Sequence, residues 1–191
     1  MATRPLRGFP PVIDRNVRTL ILGSFPSRKS LDKRQYYGHP QNQFWKLLGR
    51  IIDVPLHEIR YPDRLKTLLA RRIGLWDVIG RCERAGSLDS AIRNATNNRF
   101  SRVTRVATRL QRVCFNGKAA GGFKSLFAEQ GYETFVLPSS SPANTMPFSI
   151  KLRTWRRALA TNGGNGKRNT GHRSRVPSTA LRTGTGHAPS C

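Results

Sequence analysis

The chain has 191 residues, a length that fits one domain. Its 34 Lys and Arg against 10 Asp and Glu give a formal net charge of +24, an excess that favours a polyanionic partner because each neutralised phosphate releases condensed counterions. No apolar run approaches the roughly 20 residues that span a bilayer, no apolar segment follows the Met1-Ala2-Thr3-Arg4-Pro5 start to mark a secretory signal, and Cys82, Cys114 and Cys191 are too scattered for a disulfide framework, a zinc site or an iron–sulfur cluster.

The first predicted strand, Thr19-Leu20-Ile21-Leu22, runs into Gly23-Ser24-Phe25-Pro26-Ser27, and a long polar loop follows over residues 24–41. The spacing of Phe44, Trp45, Leu47, Leu48, Ile51 and Ile52 predicts a helix over 42–52. A second helix is expected over 61–72, begun by Pro62-Asp63 and stopped near Gly74. The short apolar run 74–79 is a strand or a buried turn, and periodicity does not separate the two. A helical turn is expected over 88–92, and a helix over 101–112 carrying Val103, Val106 and Leu110. Val113-Cys114-Phe115 is the next strand, with Cys114 as a small core residue, and it enters Asn116-Gly117-Lys118. A helix over 123–130 precedes the strand Thr134-Phe135-Val136-Leu137, which enters Pro138-Ser139-Ser140-Ser141-Pro142-Ala143-Asn144. Residues 148–160 close the domain as a helix. This alternation predicts an α/β fold with a mostly parallel sheet and helices on both faces.

From about Thr161 the composition turns to Gly, Asn, Thr, Ser and Arg, too poor in apolar side chains to offset the entropy of ordering. Residues 162–191 are therefore expected to form a disordered basic tail. Its five basic residues leave +19 on residues 1–161, so the charge belongs to the folded domain.

The carboxyl ends of parallel strands line one crevice, where ligands bind. Three strand-end polar loops on so basic a chain point to a pocket in a nucleic-acid-binding surface. The sequence holds no Walker A loop and no Gly-x-Gly-x-x-Gly fingerprint. His39, His57, His172 and His187 form no metal spacing, and no Gly-x-Ser-x-Gly elbow supports a nucleophilic triad. Residues 35–45 are more telling: aromatics, amides and a proline precede a helix, a set that suits a flat base held between an aromatic face and amide groups. On local sequence alone, Asn42 reads first as a helix N-cap, a position Asn strongly prefers. Phe44 and Trp45 suit a core, Tyr36 and Tyr37 suit loop anchors, and Asn116 suits a turn before Gly117.

Taken in order, Gly23-Ser24-Phe25-Pro26-Ser27, Tyr36-Tyr37-x-x-Pro40-x-Asn42-x-Phe44-Trp45, Phe115-Asn116-Gly117-Lys118 and Leu137-Pro138 through Asn144 resemble the uracil-DNA glycosylase superfamily. They most resemble its hypoxanthine-DNA glycosylase and mismatch-specific branch, over about residues 15–160. The resemblance implies a three-layer α/β/α sandwich and monofunctional excision of a deaminated base, uracil or hypoxanthine, that is flipped out of DNA. It implies no metal and no organic cofactor. On this pattern Gly23, Ser24, Phe25, Pro26 and Ser27 form the first motif. Its third position, an acid or amide in related families, is here Phe25, which cannot polarise water. The resemblance moves the catalytic role to Asn42, which orients water or the leaving base. It makes Asn116 the reader of the base edge and Phe44 a stacking residue. Ser139, Ser140, Ser141, Pro142, Ala143 and Asn144, with Ser27 and Lys118, would meet the DNA. The histidine that relatives often carry in this second motif is absent, and Arg99 stands where they tend to have an acid.

The expected activity is thus base excision by a monomer in the cytoplasm, on nucleoid DNA and with no membrane contact. An asparagine reader tilts the expected base toward uracil. A non-enzymatic nucleic-acid binder is the alternative, though it has no need of three strand-end polar loops. A phosphoester hydrolase is disfavoured by the scarcity of carboxylates beyond Asp32, Asp53 and Asp77.

Overall fold

The computed structural model describes residues 5–160. The tail expected over 162–191, and Cys191 with it, lies outside them. In chain order the elements are β1 (Leu6–Arg7), β2 (Thr19–Gly23), α1 (Arg28–Lys33), α2 (Phe44–Ile52), α3 (Tyr61–Ala70), β3 (Ile73–Asp77), β4 (Ile79–Arg84), a 3-10 turn (Asp89–Ala91), β5 (Ile92–Asn97), α4 (Ser101–Val106), β6 (Arg112–Asn116), α5 (Lys118–Gly121), α6 (Lys124–Ala128), β7 (Glu133–Leu137) and α7 (Phe148–Leu159).

Four parallel strands form the central sheet in the order β3-β2-β6-β7. β2 is a continuous apolar run because it is covered on both faces. Its alternating side chains feed two cores. Ile21, with Leu75 and Cys114, packs against Phe44, Leu47 and Leu48 of α2, Leu68 of α3 and Trp155 of α7. Leu20 and Leu22, with Trp76, Val113 and Phe115, pack against Val103 of α4, Ala120 of α5 and Phe127 of α6. The result is the three-layer α/β/α sandwich that the alternation predicted. Cys114 is fully buried, as expected of a core residue. The outer edge of β3 is covered by Val12, which exchanges hydrogen bonds with Leu75 at 2.9 and 3.0 Å.

The structure corrects the sequence reading in three places. The polar stretch 24–41 contains helix α1, whose N-cap Ser27 accepts from Ser30 N at 3.2 Å. The helix expected over 101–112 stops at Val106, because Ala107 leaves helical geometry and Arg112 already bonds to Arg18 as β6 begins. A second, antiparallel sheet in the order β1-β4-β5 grows out of β3 and was not foreseen.

α7 also fixes the loop after β7. Trp155 Nε1 donates to the Pro138 carbonyl at 2.9 Å. The fully buried Lys151 donates to the Asn144 carbonyl at 2.7 Å and to Gln43 Oε1 at 2.9 Å. One ammonium thus ties this loop to the start of α2, and burial holds its pKa below the usual lysine value.

Candidate active site

The chain leaves β2 toward β3 on one side and returns to β6 on the other, so the strand order reverses between β2 and β6. A crevice opens at the carboxyl ends of the strands at that reversal. It holds a cavity of about 380 Å³ walled by Gly23 to Ser27, Tyr37, Asn42, Asp77, Asn116 to Ala119 and, from the loop after β7, Ser139 to Ser141, Ala143 and Asn144. That volume sits at the low end of small-molecule sites, about 300–1,000 Å³, and suits a single base. A larger recess of about 770 Å³ runs along α2, but among the strand-end residues none lines it.

Gly23 and Asp77 are register partners at the ends of β2 and β3. A Cβ on Gly23 would run into the Asp77 carboxylate and would stand 3.1 Å from the Tyr37 hydroxyl. Glycine here is what lets an acid and a phenol meet beside the strand end. Asp77 is 4% exposed, and its Oδ2 has no hydrogen-bond partner among the described residues. Burial, and then the Asp89 charge, push its carboxyl up to about 7 against the pull of Arg84. Tyr37 sits at a positive φ of 53° and stacks on Phe44 with ring centroids 3.7 Å apart. Its phenol is raised well above the usual tyrosine value, by burial first and then by Asp77.

Asn42 lines the same cavity. Its Oδ1 accepts from the Phe44 amide at 2.9 Å; the cap position of α2 is Gln43, so Asn42 holds the turn just ahead of the helix and is not its N-cap. Because a backbone N–H must meet an oxygen, this bond fixes which way the amide points. Nδ2 is left without a partner among the described residues.

Asn116 lines the cavity too, but its amide has other work. Oδ1 accepts from Ser140 N and Nδ2 donates to Ser140 Oγ, both at 2.8 Å, while the Ser140 carbonyl accepts from Gln43 N at 3.0 Å. Asn116 therefore clasps the β6 end to the loop after β7. Replacing Asn116 with Ala would strip two buried Ser140 groups of their partners. A loss of about 2–3 kcal/mol is expected, measured as a lower midpoint in urea unfolding.

Several expected positions are refined. Phe44 is fully buried between Tyr37, Trp45 and Trp155 and is absent from the cavity wall. It cannot stack on a base, because on the core face of α2 its ring is fully buried, with Tyr37 stacked on one face. Ser140 is likewise fully buried with its polar groups spent internally, so it cannot reach a phosphate. Phe25 walls the cavity at 7% exposure, with the Arg84 guanidinium 5.1 Å from its ring centroid, and Pro26 beside it accepts from Arg84 through its carbonyl. Ser24 Oγ donates to Asp89 Oδ1 at 2.8 Å, and Ser27 caps α1. Lys118, Pro142 and Ala143 are exposed, and Ser139, Ser141 and Asn144 are half-buried at the cavity rim. Asp77, Tyr37 and the hairpin residues Ser87, Leu88 and Asp89 are wall residues that the sequence reading did not assign. For Asp77 the available signal was the run 74–79, a fourth strand ending in the same crevice.

A family model described as the uracil DNA glycosylase superfamily matches residues 10–161. The chain is similar to a hypoxanthine DNA glycosylase of Methanosarcina acetivorans, 50% identical over 138 residues that cover 72% of this chain and 87% of the relative. It is also similar to a hypoxanthine DNA glycosylase of Methanosarcina barkeri, 45% identical over 153 residues that cover 80% and 97%. A solution NMR structure of a candidate uracil DNA glycosylase from Methanosarcina acetivorans matches with a TM-score of 0.74 at 45% identity, covering 81% of this chain and 96% of that one.

Proposed function

Because the chain belongs to the uracil DNA glycosylase superfamily, we propose that the base it removes from DNA is a deaminated one, hypoxanthine ahead of uracil. It is a DNA glycosylase, an enzyme of base excision. The observation that carries the base assignment is the convergence of a donor amide, Asn42, and a buried carboxyl, Asp77, in one cavity of single-base size. The names of the two relatives support hypoxanthine over the uracil that an asparagine reader suggested.

The reaction breaks the bond between C1′ of the deoxyribose and the base nitrogen, whose electron pair leaves with the base. Water oxygen forms the new bond to C1′, and its proton passes to the base or solvent. Positive charge grows on the sugar and negative charge on the base in between. The Asn42 Nδ2 donor is placed to stabilise the leaving base. Asp77 in its neutral form offers an O–H donor and a C=O acceptor, which together match the carbonyl and adjacent N–H of a hypoxanthine or uracil edge. Tyr37, held flat by Phe44, is one of three aromatic rings at the wall, with Phe25 and Tyr36. The enzyme is read as a monomer acting on cytoplasmic DNA.

Labelled single- and double-stranded oligonucleotides with one hypoxanthine or one uracil, treated with alkali after incubation, test this. Strand breaks at hypoxanthine, formed faster than at uracil, are expected. Faster cleavage at uracil would overturn the base preference alone, whereas no break at either base would overturn the whole assignment.

A further inference from the structure

The antiparallel sheet β1-β4-β5 plays no part in the cavity beyond its loop, yet arginines line the grooves along it. Two open grooves, about 800 and about 680 Å³, meet at Arg7 and Arg81. The first extends to Arg28 at the start of α1 and to Arg84, and the second to Arg99, Arg102 and Arg105 near α4. No acidic side chain and no lysine lines either groove.

One feature shows charge on this face that the fold itself opposes. Arg7 and Arg81 are direct cross-strand partners in the β1–β4 register, and like charges placed opposite each other destabilise a sheet. Arg84, by contrast, is 4% exposed and turned into the fold over Phe25, in the field of Asp77 and Asp89. An anionic ligand would relieve the repulsion between the exposed Arg7 and Arg81, and guanidinium groups match phosphate oxygens in a bidentate fork. The sheet is also tied to the loop that walls the base cavity. Arg84 donates to the Pro26 carbonyl and lies over Phe25, while Val78 N and Ile79 N bond the Gly23 and Ser24 carbonyls at 2.9 and 3.1 Å as β3 passes into β4.

We propose that this arginine-lined face is a second DNA-binding surface, which takes the sugar–phosphate backbone flanking the nucleotide held in the cavity. That the polyanion is DNA rests on the glycosylase reading above; that the face binds a phosphate backbone rests on the arginines themselves. The spread of the tract from α1 across β1 and β4 to α4 suits several successive phosphates rather than one small anion.

The test is the affinity of the full chain for an undamaged duplex across a range of salt, read by fluorescence anisotropy. The triple variant Arg7→Gln, Arg81→Gln, Arg102→Gln is expected to lower the slope of log K against log salt by about two to three, since each lost phosphate contact removes about 0.9. A control triple of exposed residues in and flanking α3, Arg60→Gln, Lys66→Gln, Arg71→Gln, is expected to lower it by less than about one. An unchanged slope in the first variant, or an equal loss in the control, would overturn the proposal. Thermal melting checks the fold: the first variant relieves the Arg7–Arg81 repulsion and should melt no lower than the parent. A melting point several degrees lower would make these arginines structural and overturn the proposal as well. Because the duplex carries no damaged base, the outcome is independent of whether hypoxanthine or uracil is excised.

Discussion

Changing Asn42 to Asp is expected to leave the fold in place and to slow base excision by about a hundredfold or more. Aspartate keeps the oxygen that accepts from the Phe44 amide, and Asp is as good a residue as Asn at the start of a helix. Its negative charge at that end of α2 also suits the helix dipole. What it removes is the Nδ2 donor, the one part of the side chain not used by the helix. Removing a single preorganised donor from a developing anion costs about 3–4 kcal/mol, or 10²–10³ in rate. Asn42→Ala should slow excision as much and, having lost the bond to the Phe44 amide as well, should be about 1 kcal/mol less stable. Single-turnover rates on a hypoxanthine oligonucleotide, set beside thermal melts of both variants, separate the two roles. An Asp variant that excises at the parent rate would show that Asn42 works through its acceptor, by aligning water, and the donor role would fall.

The double duty of Asn42 shows how far the sequence could be read. β2, β6 and β7 are continuous apolar runs that end abruptly in Gly or Pro, so their carboxyl ends, and the crevice between them, follow from pattern alone. β3 is equally buried, but it is short and flows into β4 with a single residue between, so the pattern did not separate it from a buried turn. Asp77 was hidden with it. Nothing local marks that aspartate as buried; its position follows only from its register with Gly23. β5 is exposed at five of its six residues, so no alternation of apolar side chains announced it, and the arginine grooves on that sheet were scattered along the sequence until the sheet formed. Only Arg99 had drawn notice. The fate of Phe44 turned on Tyr37, whose left-handed backbone lays its ring across the phenylalanine. Asn116 was legible as a strand-end amide, but its clasp on Ser140 spans 24 residues.

Asp77 is expected to tie both stability and activity to pH near neutrality. Its carboxyl is pushed up to about 7, against about 3.9 in an unfolded chain. Between about pH 4 and 7 the unfolded chain has released this proton while the folded chain still holds it. Stability therefore falls as pH rises through that window, by about 1.4 kcal/mol per unit and about 4 kcal/mol in all, and is level above it. Asp77→Asn, nearly the same shape as the neutral acid, should match the parent at pH 4 and be more stable by up to about 4 kcal/mol at pH 8, measured by urea unfolding. A variant no more stable than the parent at pH 8 would show that the acid is not held neutral by the fold. The groups around Asp77 support this direction. Asp89 opposes its ionisation, Arg84 favours it less strongly, and Tyr36 and Tyr37 carry phenols that burial and Asp77 keep protonated.

The same proton should govern excision. Below about pH 7 the neutral acid can donate to the carbonyl of a hypoxanthine edge and accept from its N–H. Above that pH the carboxylate keeps only its acceptor and faces the base carbonyl with a negative charge. The parent enzyme's kcat/KM is therefore expected to fall about tenfold per unit above pH 7, while Asp77→Asn, which has donor and acceptor at every pH, should lose that limb. A parent profile that stays flat to pH 9, or a limb that survives in the Asn variant, would remove Asp77 from base recognition. An acid that burial and Asp89 keep neutral at the mouth of the crevice stands where stability alone would not place it, and such groups cluster at functional sites.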